Sequence, residues 1–176
     1  MLTFSALSGS AFRLVGAGRN VTVFADKSVD AKDLLLKSTP EETPTDGTLS
    51  WPGEYDRSGI AIKGVGQEDG QHVSFVMMAD DVRVAAIAGP LKDWSEQEIE
   101  KLGEVAVLVV PAEDAKKVQA LVDEVDPRVL VLVPGAKGAL ENDVLKAVGA
   151  LGKEQVAEYK LKGMPQEGRE VVVLTK

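Results

Sequence analysis

Leu49-Ser50-Trp51-Pro52-Gly53-Glu54-Tyr55 is the stretch around which the chain is organised. Pro52 removes a backbone donor and drives Trp51 toward an extended conformation, and Gly53 admits positive φ, so the chain must turn here. Trp51 and Tyr55 flank the turn and carry enough apolar area to pin it to the body of the protein, so both are expected to be buried, as a packed corner between two sheet elements. Glu54 is expected to accept hydrogen bonds from the amides left free by the turn. The competing reading sends its carboxylate into a cleft.

On the C-terminal side, residues 60–65 alternate as a strand, and 66–71 form a polar, glycine-bearing turn. Residues 72–79 return as the hairpin partner, and 82–88 form a further strand after Asp80-Asp81. Ser95-Glu96-Gln97-Glu98 is a capping box that opens a helix to about Leu102, closed by Gly103. Residues 105–110 and 129–133 are continuous apolar strands of the kind covered on both faces. Between them, residues 113–125 place apolar side chains at 115, 118, 121, 122 and 125, one face of a helix. A second amphipathic helix over 141–151 follows, so this half is a β-α-β-α unit whose strands should be parallel with a right-handed crossover. Residues 155–161 and 170–174 supply the last strands.

On the N-terminal side, residues 2–7, 11–15 and 21–24 read as strands, with Gly16-Ala17-Gly18-Arg19-Asn20 as a turn between two of them. Leu34-Leu35-Leu36 fits a strand or a helix. Ser38 to Gly47, with Pro40 and Pro44, is loop. A β-rich first half and a β/α second half predict an α/β (α+β) protein of two packed sheets with helices on the outer faces. At 176 residues the chain is expected to form a single domain over 1–176.

Composition excludes several function classes. Net charge is −8 and the pI near 4.8, with no run of basic residues longer than two, so nucleic acid and anionic membrane surfaces are poor partners. There is no cysteine, hence no disulfide, thiol nucleophile or thiolate metal site. The apolar runs fall far short of the roughly 20 residues that span a bilayer. Met1 to Ser5 lacks the basic start and apolar core of a signal peptide, so the cytoplasm is the expected compartment.

Counting ligands argues against zinc. Catalytic zinc sites normally draw on two or three histidines, and this chain has one, His72, expected on a surface or half-buried strand position. The pairs Asp80-Asp81 and Glu41-Glu42 lack the spaced loop of a calcium site and read as solvated turns. No Gly-x-Ser-x-Gly elbow is present; Arg57-Ser58-Gly59 has Asp56 where the first glycine should stand. Gly135-Ala136-Lys137-Gly138 follows a strand and precedes a helix but lacks the Gly-Lys-Ser/Thr ending of a phosphate loop.

The order of these segments resembles the small bacterial branch of the metallo-β-lactamase-fold hydrolases. Trp51-Pro52-Gly53-Glu54-Tyr55-Asp56-Arg57-Ser58-Gly59-Ile60 is similar to that branch's Gly-Pro-Gly-Glu-Tyr segment before a Gly-Ile/Val strand. Leu7-Ser8-Gly9-Ser10-Ala11-Phe12 is similar to its first turn, Leu-Gly-His-Ser-Cys-Phe, and Val23-Phe24-Ala25-Asp26 to a strand ending in Asp. Residues 83–98 resemble a segment carrying His-Leu-Gly-Asp and a capped helix, and residues 114–117 and 126–131 complete the likeness. The resemblance implies a reduced four-layer αββα sandwich with a dinuclear zinc site at one end.

The metal ligands of that family have no counterpart here. Gly9 stands for the first-turn His, Thr39 for the first His of the His-x-His-x-Asp-His loop, Ala86 and Gly89 for the next His and Asp, and Pro134 for the last His. The resemblance therefore implies a pseudoenzyme of bacterial type, metal-free and without cofactor, acting by binding a protein partner or by self-association. The alternative is a hydrolase that reuses the old cleft with Asp26, Glu54 or serine-based chemistry; in a third reading the hydrolase label survives by ancestry only. The five vestigial positions are expected to converge at one end of the sandwich, in a cleft plugged by Trp51, Trp94 or Met78.

Overall fold

The computed structural model describes residues 1–16, 18–57 and 59–176; Ala17 of the expected 16–20 turn and Ser58 of the 57–59 segment lie outside the described residues. Among the described residues, fourteen strands form two sheets. The first has six strands in the order β13(Glu158–Leu161), β1(Leu2–Ala6), β2(Phe12–Gly16), β3(Arg19–Val23), β4(Leu34–Leu36), β5(Thr48–Leu49). The second has eight: β12(Gln155–Val156), β14(Glu170–Leu174), β11(Val129–Val133), β10(Val107–Pro111), β9(Val82–Ala86), β8(His72–Ala79), β7(Ile60–Gln67), β6(Gly53–Arg57).

The burial pattern explains why these segments became strands. Phe4, Phe12, Leu14, Val21 and Val23 point from the first sheet onto Ile62, Phe75, Met77, Val84, Val109 and Val131 of the second, and together they make the core between the sheets. The opposite face of the second sheet, through Val76, Ala85, Leu108, Leu130 and Leu132, meets the helices α1(Glu96–Leu102), α2(Ala115–Val125) and α3(Asn142–Ala147). β10 and β11 are therefore buried on both faces and read as unbroken apolar runs. They pair in parallel, as the βαβ order requires.

Among the described residues no helix precedes Glu96, so the reduction of the sandwich falls on the outer layer of the six-stranded sheet. The segment joining β3 to β4 is tied to that sheet by polar contacts instead. Asp33, buried beneath it, accepts from Arg13 Nε at 2.8 Å and from a terminal Arg13 nitrogen at 2.9 Å. The Thr22 hydroxyl also donates to Asp33 at 2.8 Å and accepts from the Val29 amide at 3.1 Å. Burial pushes the Asp33 carboxyl upward, but hydrogen bonds from Arg13 and Thr22, with the Arg13 charge, outweigh it and hold the group below its ordinary value.

Several segments differ from their sequence reading. Residues 155–161 are two strands in two sheets: the Ala157 carbonyl accepts the Ala6 amide at 2.8 Å, which turns the chain out of one sheet and onto β1 of the other. The expected corner at Tyr55 is itself a strand, β6, antiparallel to β7. Leu34–Leu36 is a strand because β3 and β5 flank it on both sides. α3 ends at Ala147 rather than 151, with Gly149 at φ 72° just beyond it. His72 is buried, not half-exposed. At the capping box the Ser95 hydroxyl accepts the Glu98 amide at 3.2 Å and donates to the Glu98 carboxylate at 2.9 Å.

The Trp51 corner is held differently from expectation. Trp51 is 46% exposed, because Ser50, Trp51 and Pro52 cross from β5 to β6 outside both sheets. Its indole N–H donates to the Glu41 carbonyl at 2.9 Å, so the ring lies along the 38–47 loop. Tyr55 is half-buried and its hydroxyl donates to the Trp51 carbonyl at 2.9 Å. Hydrogen bonds, with Gly53 at φ 145°, shape this turn. Glu54 is exposed, and among the described residues its carboxylate makes no hydrogen bond or ion pair, contrary to the expected ties to backbone amides.

Candidate functional site

Strand register shows where the chain carries its loops of interest. β2 opens with Phe12 opposite Val23, the last residue of β3, so Gly9 before β2 and Asp26 after β3 lie at one end of the six-stranded sheet. Leu36 closes β4 beside Val23, which brings Thr39 to the same end. The Ser38 carbonyl then accepts the Val73 amide of β8 at 2.8 Å, joining this end to the second sheet. Phe75 of β8 pairs with Ala86 at the end of β9, and β9, β10 and β11 run parallel, so Gly89 and Pro134 follow at the same end. Phe24 and Phe75 meet across the sheets with ring centroids 6.3 Å apart.

The environments of these positions differ. Gly9, Asp26 and Thr39 are exposed, and Asp26 and Thr39 line a polar cleft of about 200 Å³ with Phe24, Lys37 and Ser38. Ala86 is fully buried and Pro134 is buried beyond β11. A Cβ at Gly89 would lie 2.9 Å from Glu113 Oε1 and 3.5 Å from Pro111 Cγ, and one at Gly135 would lie 3.1 Å from Glu113 Cβ. Glu113 thus fills the space between the loops after β9 and β11, and among the described residues its buried Oε1 has no partner.

Sequence reading took Glu113 as a helix start and missed this role. The available signal was its place just past an apolar strand of a βαβ unit, where such folds build their sites. The residues expected to plug the end lie elsewhere. Trp51 sits on the corner, Met78 is 37% exposed beside Arg83 and Lys63, and Trp94 packs half-buried against the helix-side core. Glu54 lines that Met78 cleft on the outer face of the second sheet, so the structure does not bring it together with Asp26.

The donor set does not fit a dinuclear zinc centre. Gly9, Ala86, Gly89 and Pro134 offer no side-chain ligand, and Thr39 offers only a hydroxyl. The single imidazole, His72, donates from Nε2 to the Ala88 carbonyl at 3.0 Å in a buried setting. Among the described residues no group of three His, Asp or Glu side chains could hold a metal ion.

No family model and no curated protein matches this sequence. Solved structures do. One described as a Zn-dependent hydrolase of the metallo-β-lactamase superfamily, from Thermotoga maritima, superposes with a TM-score of 0.79 at 20% identity, covering 99% of each chain. The chain has the metallo-β-lactamase fold. The metallo-β-lactamase fold protein YhfI from Bacillus subtilis matches with a TM-score of 0.66 at 7% identity, over 99% of this chain and 96% of its own. A metallo hydrolase from the archaeon Ignicoccus hospitalis matches with a TM-score of 0.59 at 11% identity, over 99% and 95%. These identities are low, and what they share with this chain is the metallo-β-lactamase scaffold. Among the described residues no helix is long and apolar enough to cross a membrane.

Proposed function

We propose that this protein is a metallo-β-lactamase-fold pseudoenzyme that has lost the zinc chemistry of the fold and acts by binding another macromolecule. One observation carries the reading. Gly9, Thr39, Ala86, Gly89 and Pro134, the positions matched to the family's ligands, lie at one end of the sandwich by strand register, and none supplies an imidazole or carboxylate. Glu113 occupies the space beside two of the loops involved, where side chains at residues 89 and 135 would otherwise stand. A scaffold kept whole with its ligand positions replaced retains surfaces for recognition, and function resides in sites, not folds.

Elemental analysis of the protein equilibrated with excess zinc and then gel-filtered tests this reading. Substoichiometric zinc is expected, together with no zinc-dependent turnover of ester, lactam or phosphodiester substrates. One or two tightly held zinc ions per chain would overturn it.

A second reading has one observation in its favour: Asp26 shares its small polar cleft with Ser38, Thr39 and Lys37, which leaves room for metal-free hydrolysis at the same end. Activity lost on Asp26→Asn while the fold is retained would select that reading.

A further inference from the structure

We propose that the cleft between the free sheet edges β5 and β6 binds a chain of neutral sugar residues; this names the class of macromolecule for the binding role above and rests on that reading. The cleft has a volume of about 560 Å³, within the roughly 300–1,000 Å³ usual for ligand sites, and a single pyranose ring would leave most of it empty. Leu34 and Leu49 are its buried apolar residues, and Thr45, Asp46, Trp51 and Arg57 stand exposed around it.

Both walls are held in place before any ligand arrives. The Trp51 indole N–H donates to the Glu41 carbonyl and the Tyr55 hydroxyl to the Trp51 carbonyl, each at 2.9 Å, which fixes the ring while leaving nearly half of it in water. The buried Ser50 hydroxyl accepts the Glu41 amide at 3.0 Å and so fastens the facing loop to the same corner. Within that loop the Thr48 amide donates to the Thr45 carbonyl at 3.1 Å, and the Leu35 amide of β4 donates to the Gly47 carbonyl at 2.9 Å. An aromatic face held in water by bonds at its edge is ready to stack, and a site so ordered loses little entropy on binding.

The lining selects a neutral, hydroxyl-rich occupant. Asp46 and Arg57 bring opposite charges to one cleft, and neither is in an ion pair among the described residues. The Arg57 guanidinium donates to the adjacent Asp56 carbonyl at 3.2 Å and keeps its other donors. The two charges favour neither an anion nor a cation, yet together they can donate to and accept from hydroxyl groups, and the Thr48 hydroxyl can do either. Trp51 is the free aromatic face, since the Arg57 guanidinium lies 5.8 Å from the Tyr55 ring centroid and the Tyr55 hydroxyl is already used. A flat heterocycle is held best between two rings. A pyranose needs one: its weakly positive C–H face meets the negative face of the indole, and its rim of hydroxyls reaches the polar groups around it.

The test is an NMR titration of the full chain, read at amides and indoles, with maltotriose, cellotriose and triacetylchitotriose, and with glucose, phenylalanine and adenosine monophosphate for comparison. The two tryptophans give two indole signals, and Trp94, packed on the helix side, is the internal control. At least one trisaccharide at about 10 mM is expected to shift the Trp51 indole and the amides of residues 45–48 and 55–57, to bind more tightly than glucose, and to bind equally at low and high salt. Trp51→Ala is expected to weaken that binding at least about tenfold. Asp46→Ala, an exposed change that removes no hydrogen bond among the described residues, is expected to weaken it with an otherwise unchanged amide spectrum. No shift with any trisaccharide, shifts at Trp94 or the Asp26 cleft instead, glucose bound as tightly as the trisaccharides, binding unaffected by both substitutions, or salt-sensitive binding of phenylalanine or adenosine monophosphate in place of the sugars would each overturn the proposal. Zinc uptake by a chain that still binds the trisaccharide would overturn the pseudoenzyme reading alone.

Discussion

Replacing Asp33 with alanine should remove about 3 kcal/mol of stability, because the buried carboxylate is the shared acceptor for Arg13 and Thr22. Its side chain is 1% exposed and takes two hydrogen bonds from Arg13 and one from Thr22. Removing one partner of a buried pair costs about 3–5 kcal/mol, since it strands the other charge. Arg13 keeps 23% of its side chain in water, so the stranded guanidinium is partly rehydrated and the lower end of that range applies. For a chain of this size about 3 kcal/mol lowers Tm by about 6–12 °C. Urea unfolding of both proteins across pH is the assay. The folded-state carboxyl of Asp33 is held below its ordinary value. Its contribution is therefore present above the unfolded pKa of about 3.9 and is lost as pH falls through the folded value. The gap between wild type and Asp33→Ala should be full at neutral pH and narrow below about pH 4. A gap under about 1 kcal/mol at neutral pH, or one that does not narrow in acid, would refute this account.

Trp51→Ala should cost about 1–2 kcal/mol in urea unfolding, well under the roughly 3–5 kcal/mol of a fully buried aromatic. Nearly half of the ring is already in water, and its main tie is the bond to the Glu41 carbonyl. At Gly64 a new Cβ would lie 2.7 Å from the Trp51 carbonyl oxygen, a backbone atom that cannot step aside. Gly64→Ala should therefore cost about 1–3 kcal/mol in the same assay. Gly9 has φ 63° but open space around it. Gly9→Ala should lose only about 1–2 kcal/mol, from backbone strain, and a larger loss in urea unfolding would mean that the Gly9 turn is packed against something.

Most strands were legible because their burial is one-sided or complete. Residues 72–79, 129–133 and 170–174 were read with their observed bounds: 72–79 is a hairpin partner bounded by turns, and the other two are apolar runs between breakers. The Ser95 cap and the Gly103 stop were legible for the same local reason. The 155–161 segment was not, since period alone cannot say that Ala157 passes a strand from one sheet to another. At the candidate site, what the residue identities carried was the scarcity of nitrogen and sulfur ligands, one histidine and no cysteine. The role of Glu113 was illegible, because it depends on two glycines, Gly89 and Gly135, that lie far apart in the chain and meet only across parallel strands.

By itself, then, the sequence determined local conformation, the two-sheet plan and the lack of a histidine or thiolate ligand set, since propensity, alternation and ligand counts are properties of short segments and of composition. The tertiary structure alone decided that Trp51 faces water along a loop, that Asp33 is locked under Arg13, and that Asp26 and Glu54 occupy different clefts. It also decided that β6 is left as an open edge. Each of those outcomes depends on which elements become neighbours, and neighbourhood is set by the register and crossover of strands distant in sequence.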